Sequence, residues 1–296
     1  MADTALMTGS TRNVVTQKPT PAPTEPARAP RAGLGTVALR GIAIGYVGLL
    51  VLVPLGVIFY KTFQPGLGEF FDALSTPASV HAFEITGIVA ASAVAINFVF
   101  GIAIALLLAR YRFWGRRLLG AFIDLPVAVS PIVVGLALIL VYGPTGWFGP
   151  TLQAHGVTMI GAKPGMILAT VFVALPLVAR AIIPVLEQVG TEQEQAAASL
   201  GAGPVTRLRR ITLPTIRVAL TYGVVLSLAR TIGEYGAVLV VSDNIEGTTE
   251  TAPLRVGNLV EDSMDYKSAY AITFLMILFA FVAILVSAWI RRRARR

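Results

Sequence analysis

An arginine and a glutamate lie one helical turn apart inside a long apolar stretch of the sequence. Arg230 and Glu234 have the i, i+4 spacing that places two side chains on one face of a helix. Burying either charge alone in an apolar environment costs several kcal/mol, so a structural ion pair is one interpretation. In the other interpretation, Arg230 supplies positive potential along a route for an anion. Gly233 and Gly236 flank Glu234 and Tyr235, and they favour a local break that presents backbone N–H groups to such an anion.

The residues that catalysis or metal binding would require are absent. The chain has no cysteine and two histidines, His81 and His155, which excludes thiolate chemistry and a histidine-based metal cage. It has no G-x-x-x-x-G-K-[S/T] sequence, and so it lacks a P-loop for nucleotide phosphates. We therefore predict no catalytic residue, no metal site and no cofactor bound by this chain. The energy for any uphill process must come from another polypeptide.

The composition is typical of a membrane protein. Of 296 residues, 55% are hydrophobic and 14% are charged, whereas soluble domains are about one-quarter charged. The mean hydropathy is +0.74. These values exclude a soluble enzyme and a disordered chain. They also exclude a nucleic-acid partner despite a pI near 10.1, because the basic residues lie between apolar segments. The predicted fold class is all-α, in a polytopic membrane protein.

Six apolar segments are long enough to cross a bilayer. A helix of about 20 residues covers the roughly 30 Å of hydrocarbon. Residues 1–37 are rich in proline and are predicted to form a disordered tail, with residues 38–296 forming the membrane domain. The six predicted transmembrane helices are Gly41–Tyr60, Ile85–Leu108, Leu118–Tyr142, Met166–Val185, Ala219–Val241 and Ala269–Ile290.

The distribution of basic residues predicts the orientation in the membrane. Cytoplasmic loops carry an excess of lysine and arginine. Of the 24 lysines and arginines, Arg230 lies within a span, and one side of the membrane receives only Lys61, Lys163, Arg255 and Lys267. The other side, which holds both termini, is therefore predicted to be the cytoplasmic side of the inner cell membrane.

Two prolines interrupt the third predicted span. Pro126 and Pro131 lack a backbone N–H, so the helix is expected to kink or break. Non-helical backbone at membrane depth requires surrounding protein or a water-filled cavity. The interruption therefore serves either helix packing or a substrate path lined by Ser130. Asp124 lies near the cytoplasmic end of this span and is expected to be satisfied at the interface.

The predicted cytoplasmic loop 187–214 is longer than a simple connection. Thr191 and Glu194 have the spacing of a capping box, which predicts a short helix over Glu192–Leu200. Gly201 follows at the position where a left-handed C-terminal cap is needed.

A second short helix is predicted over Pro204–Leu213, and Pro214 is expected to end it. The two short helices either lie on the membrane surface as an amphipathic pair or form a docking element. Their small side chains would let the groove of a partner approach the backbone closely.

The same loop resembles the EAA motif of ABC-importer permeases. In that motif a glycine precedes an Ile-x-Leu-Pro sequence by ten residues, as Gly201 precedes Ile211 here. One departure is that Gln195 occupies the position of the leading glutamate, with Glu194 directly before it. If the family's glutamate forms a salt bridge to the ATPase, Gln195 weakens it to a neutral hydrogen bond. The resemblance implies a coupling helix that fits a groove on an ATP-hydrolysing subunit. Its residues would be Glu194, Gln195, Ala196, Ala197, Gly201, Ile211, Leu213 and Pro214.

Further motifs extend the resemblance over roughly residues 40–290. They are the segments 124–131, 233–236 and 240–251, which look most like the sulfate/thiosulfate permease subunits of the CysW type. The resemblance implies the type I ABC-importer permease fold. It also implies a translocation path lined by Ser130, Pro131, Arg230, Gly233, Glu234, Tyr235 and Gly236.

The resemblance implies a set of partners as well. They are two ATP-binding subunits that use ATP and Mg, a second (sister) sulfate permease, and an extracytoplasmic sulfate-binding protein that delivers the oxyanion. Molybdate permeases share the Gly-Glu-aromatic-Gly element, so a molybdate or tungstate ABC permease is the alternative within this class. An ion-coupled secondary transporter is the alternative outside it. It would need free intramembrane carboxylates, and only Glu234 lies well inside a predicted span.

Overall fold

The computed structural model describes residues 34–294, which form helices joined by loops, with no strand among them. The all-α prediction is confirmed. Residues 1–33 of the predicted tail lie outside the described residues, and the first helix begins at Leu34. The helices are α1 (Leu34–Phe63), α2 (Leu67–Ser75), α3 (Pro77–Arg110), α4 (Arg116–Ala128), α5 (Pro131–Tyr142), α6 (Gly149–Ala154), α7 (Lys163–Val189), α8 (Glu192–Ser199), α9 (Pro204–Arg207), a π-helical turn (Leu208–Thr212), α10 (Leu213–Ile232), α11 (Gly236–Val241), α12 (Ala252–Glu261) and α13 (Tyr266–Ala294).

Five of the described helical segments are long and apolar enough to cross a membrane. Each predicted span except the third and the fifth falls inside one of them. The α4–α5 pair meets the same criteria as a bent unit and makes up to six spans. The five segments are Ala38–Phe63, Pro77–Arg110, Lys163–Val189, Pro204–Ile232 and Tyr266–Ile290.

The third predicted span is broken, as expected from its prolines. The axes of α4 and α5 differ by 114°, and the extended backbone of Val129 separates the two helices. Pro131 lies in the first turn of α5, where a missing N–H removes no helical hydrogen bond. Pro126 lies inside α4 without ending it. The break is therefore set by one of the two prolines.

The fifth predicted span, Ala219–Val241, has different bounds in the structure. The helical segment begins at Pro204 and ends at Ile232, and the short helix α11 follows after a break. The break is stabilised by Glu234, whose carboxylate accepts the backbone N–H of Ala237 at 3.0 Å. The predicted bounds run across this break, which Gly233 and Gly236 favour, and the side chain of Glu234 stabilises the start of the new helix.

The helices α3, α7 and α10 pack closely because small residues lie between them. A Cβ added to Gly101 of α3 would lie 2.8 Å from Cβ of Val178 on α7. One added to Gly223 of α10 would lie 3.0 Å from Cβ of Ala181. Small residues at such contacts allow close backbone approach, which drives helix association in a membrane. We call α3, α7 and α10 together the membrane framework.

The framework has two ends that differ in their loops. α3 and α7 end together, since Nη1 of Arg110 donates to the carbonyl oxygen of Leu186 at 2.7 Å. The loop 187–214 follows α7 directly, and we call this end of the bundle the loop end. At the opposite end, the hydroxyl of Thr86 on α3 accepts the backbone N–H of Ala252 at 2.8 Å.

The bent pair α4–α5 carries the chain from the loop end to the opposite end. Arg116, the first residue of α4, lies 3.5 Å from the carboxylate of Glu187 at the loop end. α7 begins at Lys163 and ends at the loop end, so its first residue lies at the opposite end. The bent pair therefore runs between the two ends of the bundle, in the part of the chain where the third of the six spans is predicted.

The chain divides into two compact units, residues up to Val53 and residues from Pro54 onward. The described part of the first is the helical stretch 34–53 of α1. In the second, the last turns of α1 pack on α13. The ring centroid of Phe63 lies 5.1 Å from that of Phe274, and the hydroxyl of Thr62 donates to the carbonyl of Tyr270 at 3.1 Å.

Candidate functional site

The two interrupted spans meet at their breaks. Gly236 begins α11, and a Cβ added to it would lie 3.2 Å from Cβ of Pro131, which begins α5. The residues around these two positions, 129–132 and 233–237, therefore form one place in the fold, which we call the break junction. Two segments about a hundred residues apart in the chain meet there.

The start of α5 offers hydrogen-bond donors at the break junction. Ser130 directly precedes the helix and is exposed, and its side chain caps no backbone N–H. The first turn of any helix leaves N–H groups without intrahelical partners. In α5 these include the N–H groups of Ile132 and Val133. A hydroxyl and unpaired N–H groups are the donors that bind anions at a helix N-terminus.

Arg230 and Glu234 form the ion pair that their spacing predicted. Nη1 of Arg230 lies 2.5 Å from Oε2 of Glu234, while Oε1 of Glu234 accepts the N–H of Ala237. The side chain of Glu234 is 2% exposed and that of Arg230 is 40% exposed. The carboxylate is therefore fully engaged, and the side chain of Arg230 remains partly exposed. Both of the proposed roles for Arg230, pairing and anion attraction, are compatible with this arrangement.

The remaining residues of the predicted path have different surroundings. Gly233 is exposed at the break. The ring of Tyr235 packs on α12, where its hydroxyl would lie 3.0 Å from a Cβ on Gly257. Tyr235 also lines a cavity of about 590 Å³ whose other walls come from α12 and α13 and are mostly apolar. Tyr235 thus packs against a neighbouring helix, whereas the donors lie on α5 and α10.

The predicted capping box at the start of α8 is wrong. Thr191 is the residue before the helix, but its side chain caps no backbone N–H. Its hydroxyl instead accepts a hydrogen bond from Nε2 of Gln195 at 3.0 Å. Glu194 is not available for the reciprocal contact because its carboxylate binds groups on other helices.

Glu194 bonds to two residues at the loop end of the bundle. Its Oε2 lies 3.3 Å from Nε of Arg110, and its Oε1 accepts from Nη2 of Arg110 at 3.3 Å and from the hydroxyl of Thr212 at 2.9 Å. The side chains of Arg110 and Glu194 are 10% and 19% exposed. Glu194 therefore faces its own chain.

The predicted left-handed cap at Gly201 is confirmed. Its φ is +85°, its N–H donates to Ala198 O at 3.0 Å, and the N–H of Ala202 donates to Ala197 O at 2.9 Å. These two bonds form a Schellman motif, which satisfies the last carbonyls of α8.

The outer surface of the loop carries exposed small and apolar side chains. Leu200 is 89% exposed and Val205 is 76% exposed. Gln195 and Ala196 are exposed as well, and Ala197 is half-buried. An exposed apolar patch rimmed by polar residues is typical of a surface that binds another protein.

Pro214 does not end the second short helix, contrary to the prediction. α9 continues through the π-helical turn directly into α10, and Pro214 lies in the first turn of α10. The wider turn, closed by the N–H of Leu213 on the carbonyl of Leu208, accommodates a residue that lacks an N–H and whose ring crowds the preceding turn. Ile211 and Leu213 are half-buried, and Leu213 packs on the apolar core between α3 and α7.

Asp124 pairs with a residue of α7. Nε of Arg180 donates to its Oδ1 at 2.7 Å, Nη2 of Arg180 bonds to its Oδ2, and Nη2 also donates to the carbonyl of Gly120 at 3.4 Å. Both side chains are about half exposed. This pair joins α4 to α7 on the loop side of the break.

A polar cluster holds the segment 242–258 together at the opposite end. The buried carboxylate of Glu250 accepts from Arg255 at 3.0 Å and from Asn258 at 2.7 Å, and Asn258 also pairs with Asn244. Burial alone would lower the pKa of Arg255, but the hydrogen bonds to Glu246 and Glu250 outweigh it and raise the pKa. The segment is therefore held by a permanently charged arginine.

Comparison with known proteins assigns the family. Residues 97–296 match the model of the family described as binding-protein-dependent transport system inner membrane component. The chain belongs to this family of permeases.

Relatives of this permease extend over nearly the whole chain. It is 40% identical over 262 residues to a sulfate transport system permease protein CysW of Synechococcus elongatus, which covers 88% of this chain and 91% of the relative. It is 40% identical over 255 residues to CysW of Escherichia coli, with 86% and 87% covered. A sulfate permease protein CysT of Synechococcus elongatus is 36% identical over 241 residues, with 81% and 86% covered.

Solved structures show the same fold. A chain of a bacterial ABC transporter involved in the import of the polysaccharide alginate superimposes with a TM-score of 0.71, at 18% identity, over 88% of this chain and 94% of that one. A chain of the MetNI methionine ABC transporter superimposes with a TM-score of 0.55, at 17% identity, over 73% and 96%. The predicted ABC-importer permease fold is therefore confirmed.

Sequence patterns did not identify every polar contact of the permease. Arg110 and Thr212 were not predicted as partners of Glu194, and Arg180 was not predicted as the partner of Asp124. Each partner is distant in sequence, so no local spacing signals the contact. Among the described residues, no cluster of His, Cys, Asp and Glu is arranged to hold a metal ion.

Proposed function

We propose that this chain is a permease subunit of an ATP-driven importer for sulfate and thiosulfate in the inner membrane. The observation that carries this proposal is the break junction, where the first turn of α5 meets the start of α11 and where Glu234 is paired with the partly exposed Arg230 one helical turn before it. The named substrates come from the sulfate permeases that this chain is similar to. Both termini are cytoplasmic in this proposal, as the distribution of basic residues predicts.

The chemistry of the break junction suits an oxyanion. Arg230 has five N–H donors and uses one of them on Glu234. The negative charge of Glu234 is partly neutralised by the N–H of Ala237. Positive potential therefore remains around the guanidinium of Arg230. The hydroxyl of Ser130 and the first N–H groups of α5 add neutral donors. Discontinuous membrane helices bind anions in the same way, with helix N-termini directed at the charge.

The loop 187–214 is the proposed docking element for the ATP-binding subunits. Two such subunits would bind and hydrolyse ATP with Mg, because this chain has no P-loop of its own. The exposed Leu200 and Val205, with Gln195 and Ala196, would enter the groove of one subunit. Gln195 would contribute a neutral hydrogen bond there, weaker than the charged contact of a glutamate.

Delivery by a binding protein is supported by charge. The loops at the opposite end carry Glu246, Glu261 and Asp262 on their exposed surface, and this acidic excess repels a free dianion. An extracytoplasmic sulfate-binding protein would overcome the repulsion by carrying the anion to the permease. Similarity to both CysW and CysT proteins supports a second, different permease as the other half of the pathway.

The arrangement of Glu234 argues against an ion-coupled secondary transporter. Such a transporter needs an intramembrane carboxylate that exchanges protons or sodium ions. Both oxygens of Glu234 are engaged by groups of its own chain, and its side chain is 2% exposed.

Uptake measurements test the proposal. The chain would be expressed with its partner subunits in a strain that lacks its own sulfate permeases, and uptake of radiolabelled sulfate would be followed. We expect uptake that stops when ATP is depleted, persists when the proton gradient is collapsed, and is competed by thiosulfate more strongly than by molybdate. Stronger competition by molybdate would reassign the substrate to molybdate or tungstate. Uptake that follows the proton gradient would overturn the proposed class.

A further inference from the structure

The Arg110–Glu194–Thr212 cluster joins four structural elements at the loop end. Arg110 is the last residue of α3, and it binds both Glu194 of α8 and the last turn of α7 through Leu186 O. Thr212, in the π-helical turn that leads into α10, donates to the same carboxylate. A single side chain of α8 is thus linked through Arg110 to the ends of α3 and α7, and it directly contacts the turn that leads into α10.

The helix α8 has little else to hold it on the bundle. None of its eight residues is buried, and an isolated helix of this length is not stable in water. Glu194 and Ala197 are its two half-buried residues, while the others are exposed. The position of α8 therefore depends on the polar contacts of Glu194 more than on apolar packing.

The contacts between Arg110 and Glu194 join two opposite charges at 3.3 Å. Hydrogen bonds between a guanidinium and a carboxylate are charge-assisted, and those in sites with little water are screened less than exposed pairs. Thr212 is 4% exposed, so its hydroxyl would lose this acceptor in a buried place if the side chain of Glu194 moved away. Replacing Glu194 by glutamine keeps the shape of the side chain but removes its negative charge. The guanidinium of Arg110 then loses the charge with which it is paired.

We propose that Arg110, Glu194 and Thr212 are positioning residues that tie α8 to the ends of α3 and α7. This role rests on the proposed function of the loop. When α8 is displaced, these residues transmit the movement to the membrane helices, so that the loop does not simply bend. They need not contact the ATP-binding subunit or the anion. Glu194 thereby differs from its neighbour Gln195, whose side chain lies on the exposed surface.

The first test measures the tie without using transport. Because the chain has no cysteine, spin labels can be attached to a Leu107→Cys/Ala198→Cys variant of the full chain in lipid nanodiscs. Both positions are exposed, one on α3 and one on α8. We expect one narrow distance distribution that Glu194→Gln broadens, since the loss of charged hydrogen bonds raises the released fraction roughly tenfold or more. Glu192→Gln removes the same charge from an exposed position of α8 and should leave the distribution narrow.

The second test separates coupling from assembly. In the complex reconstituted with its ATP-binding and permease partners, Glu194→Gln should lower the sulfate transported per ATP hydrolysed at least about threefold. The amount of ATP-binding subunit recovered with the permease should stay unchanged. Thr212→Val should have the same effect to a smaller degree, and Thr212→Ser, which keeps the hydroxyl, should retain the wild-type ratio.

The outcomes are distinct. A narrow distribution in Glu194→Gln would overturn the tie itself. A broadened distribution with an unchanged ratio of transport to hydrolysis would overturn its role in coupling, as would a loss explained entirely by reduced assembly. If the wild-type chain neither transports sulfate nor binds an ATP-binding subunit, the proposed function fails, and the distance measurement still decides whether the tie exists.

Discussion

Gly135 of α5 lies so close to Val240 of α11 that no side chain fits between them. A Cβ on Gly135 would be 2.7 Å from Cβ of Val240 and 3.0 Å from the carbonyl oxygen of Ala237. The backbone of α5 at Gly135 therefore packs directly against the side chain of Val240 on α11. This close contact lies on the two helices that begin at the break junction.

Enlarging Gly135 should separate the two helices. We expect Gly135→Ala to lower the thermal stability of the detergent-solubilised permease, because one of the clashing atoms is backbone and overpacking costs about 1–3 kcal/mol. Gly87→Ala is the matched control, since a Cβ on that glycine of α3 meets nothing within 4 Å. Unfolding midpoints from temperature-dependent size-exclusion chromatography would show the difference. Equal midpoints for the two variants would contradict the packing described here.

Asp265 should stabilise the start of α13 at neutral pH. Hydrogen bonding to Ser268 lowers the pKa of Asp265 below its ordinary value of 3.8, against the opposing effect of burial, and Oδ1 accepts the Ser268 N–H at 3.2 Å. A carboxylate with a lowered pKa contributes stability that is complete above the unfolded pKa and is lost as pH falls through the folded one. We expect Asp265→Ala to cost about 1 kcal/mol at pH 7, as for other N-caps.

The pH dependence provides the control for Asp265. Asp265→Asn keeps a capping oxygen and removes the charge, so it should fall between the wild type and Asp265→Ala at pH 7. The difference between the wild type and the asparagine variant should shrink as the pH drops below about 4. A difference that stays constant from pH 7 to pH 4 and below would assign the effect to something other than the carboxylate charge.

Local signals predicted the breaks and the cap, but not the contacts across the bundle. A proline at position 131 and a left-handed glycine at position 201 act on their own backbone, so the sequence is sufficient to locate them. Glu194 had a local partner in the capping-box pattern and a distant one in Arg110, 84 residues away. The charged tertiary contact replaced the local one, and no spacing in the sequence encodes that choice.

Two helix ends differ from their predicted bounds. Pro214 was expected to end a helix because a proline removes one hydrogen bond, yet a π-helical turn absorbs that loss and the helix continues. The apolar run to Val241 set the predicted bounds of the fifth span across the break that Gly233 and Gly236 favour, and the side chain of Glu234 caps the new helix that begins there. In both places a local hydrogen bond decides the outcome, from the N–H of Leu213 to the carbonyl of Leu208 in the first and from the N–H of Ala237 to Glu234 in the second.

Docking of the ATP-binding subunit should require Gly201 only because of the left-handed backbone conformation at this position. Its φ is +85° and a Cβ would meet no atom within 4 Å, so replacement causes strain without a clash. The left-handed conformation costs a residue with a Cβ about 1–2 kcal/mol, and asparagine tolerates it better. We expect Gly201→Leu to reduce recovery of the ATP-binding subunit with the permease, Gly201→Asn to reduce it less, and Gly203→Ala to leave it unchanged. Gly203 has a φ of −65° and the same open surroundings. Full recovery with Gly201→Leu would remove the proposed docking role from this turn.

Variants of Arg230 and Glu234 should distinguish an effect on stability from an effect on transport. Arg230→Met leaves the carboxylate of Glu234, 2% exposed, without its cation, and we expect a loss of about 3 kcal/mol, the low end for broken buried pairs because Arg230 is 40% exposed. An Arg230→Met/Glu234→Gln double variant removes both charges while glutamine can still accept the N–H of Ala237. It should recover most of that stability, since no unpaired charge remains buried.

Sulfate uptake should behave differently from stability in these variants. If the guanidinium attracts the anion, both the single and the double variant should lose uptake, although the double variant is folded and assembled. Thermal unfolding of the solubilised permease and uptake of radiolabelled sulfate, measured on the same preparations, compare the two effects. Wild-type uptake by the double variant would mean that the pair is structural only. Arg230 would then contribute to the packing of the break junction, and the anion would depend on Ser130 and the first turn of α5 for its donors.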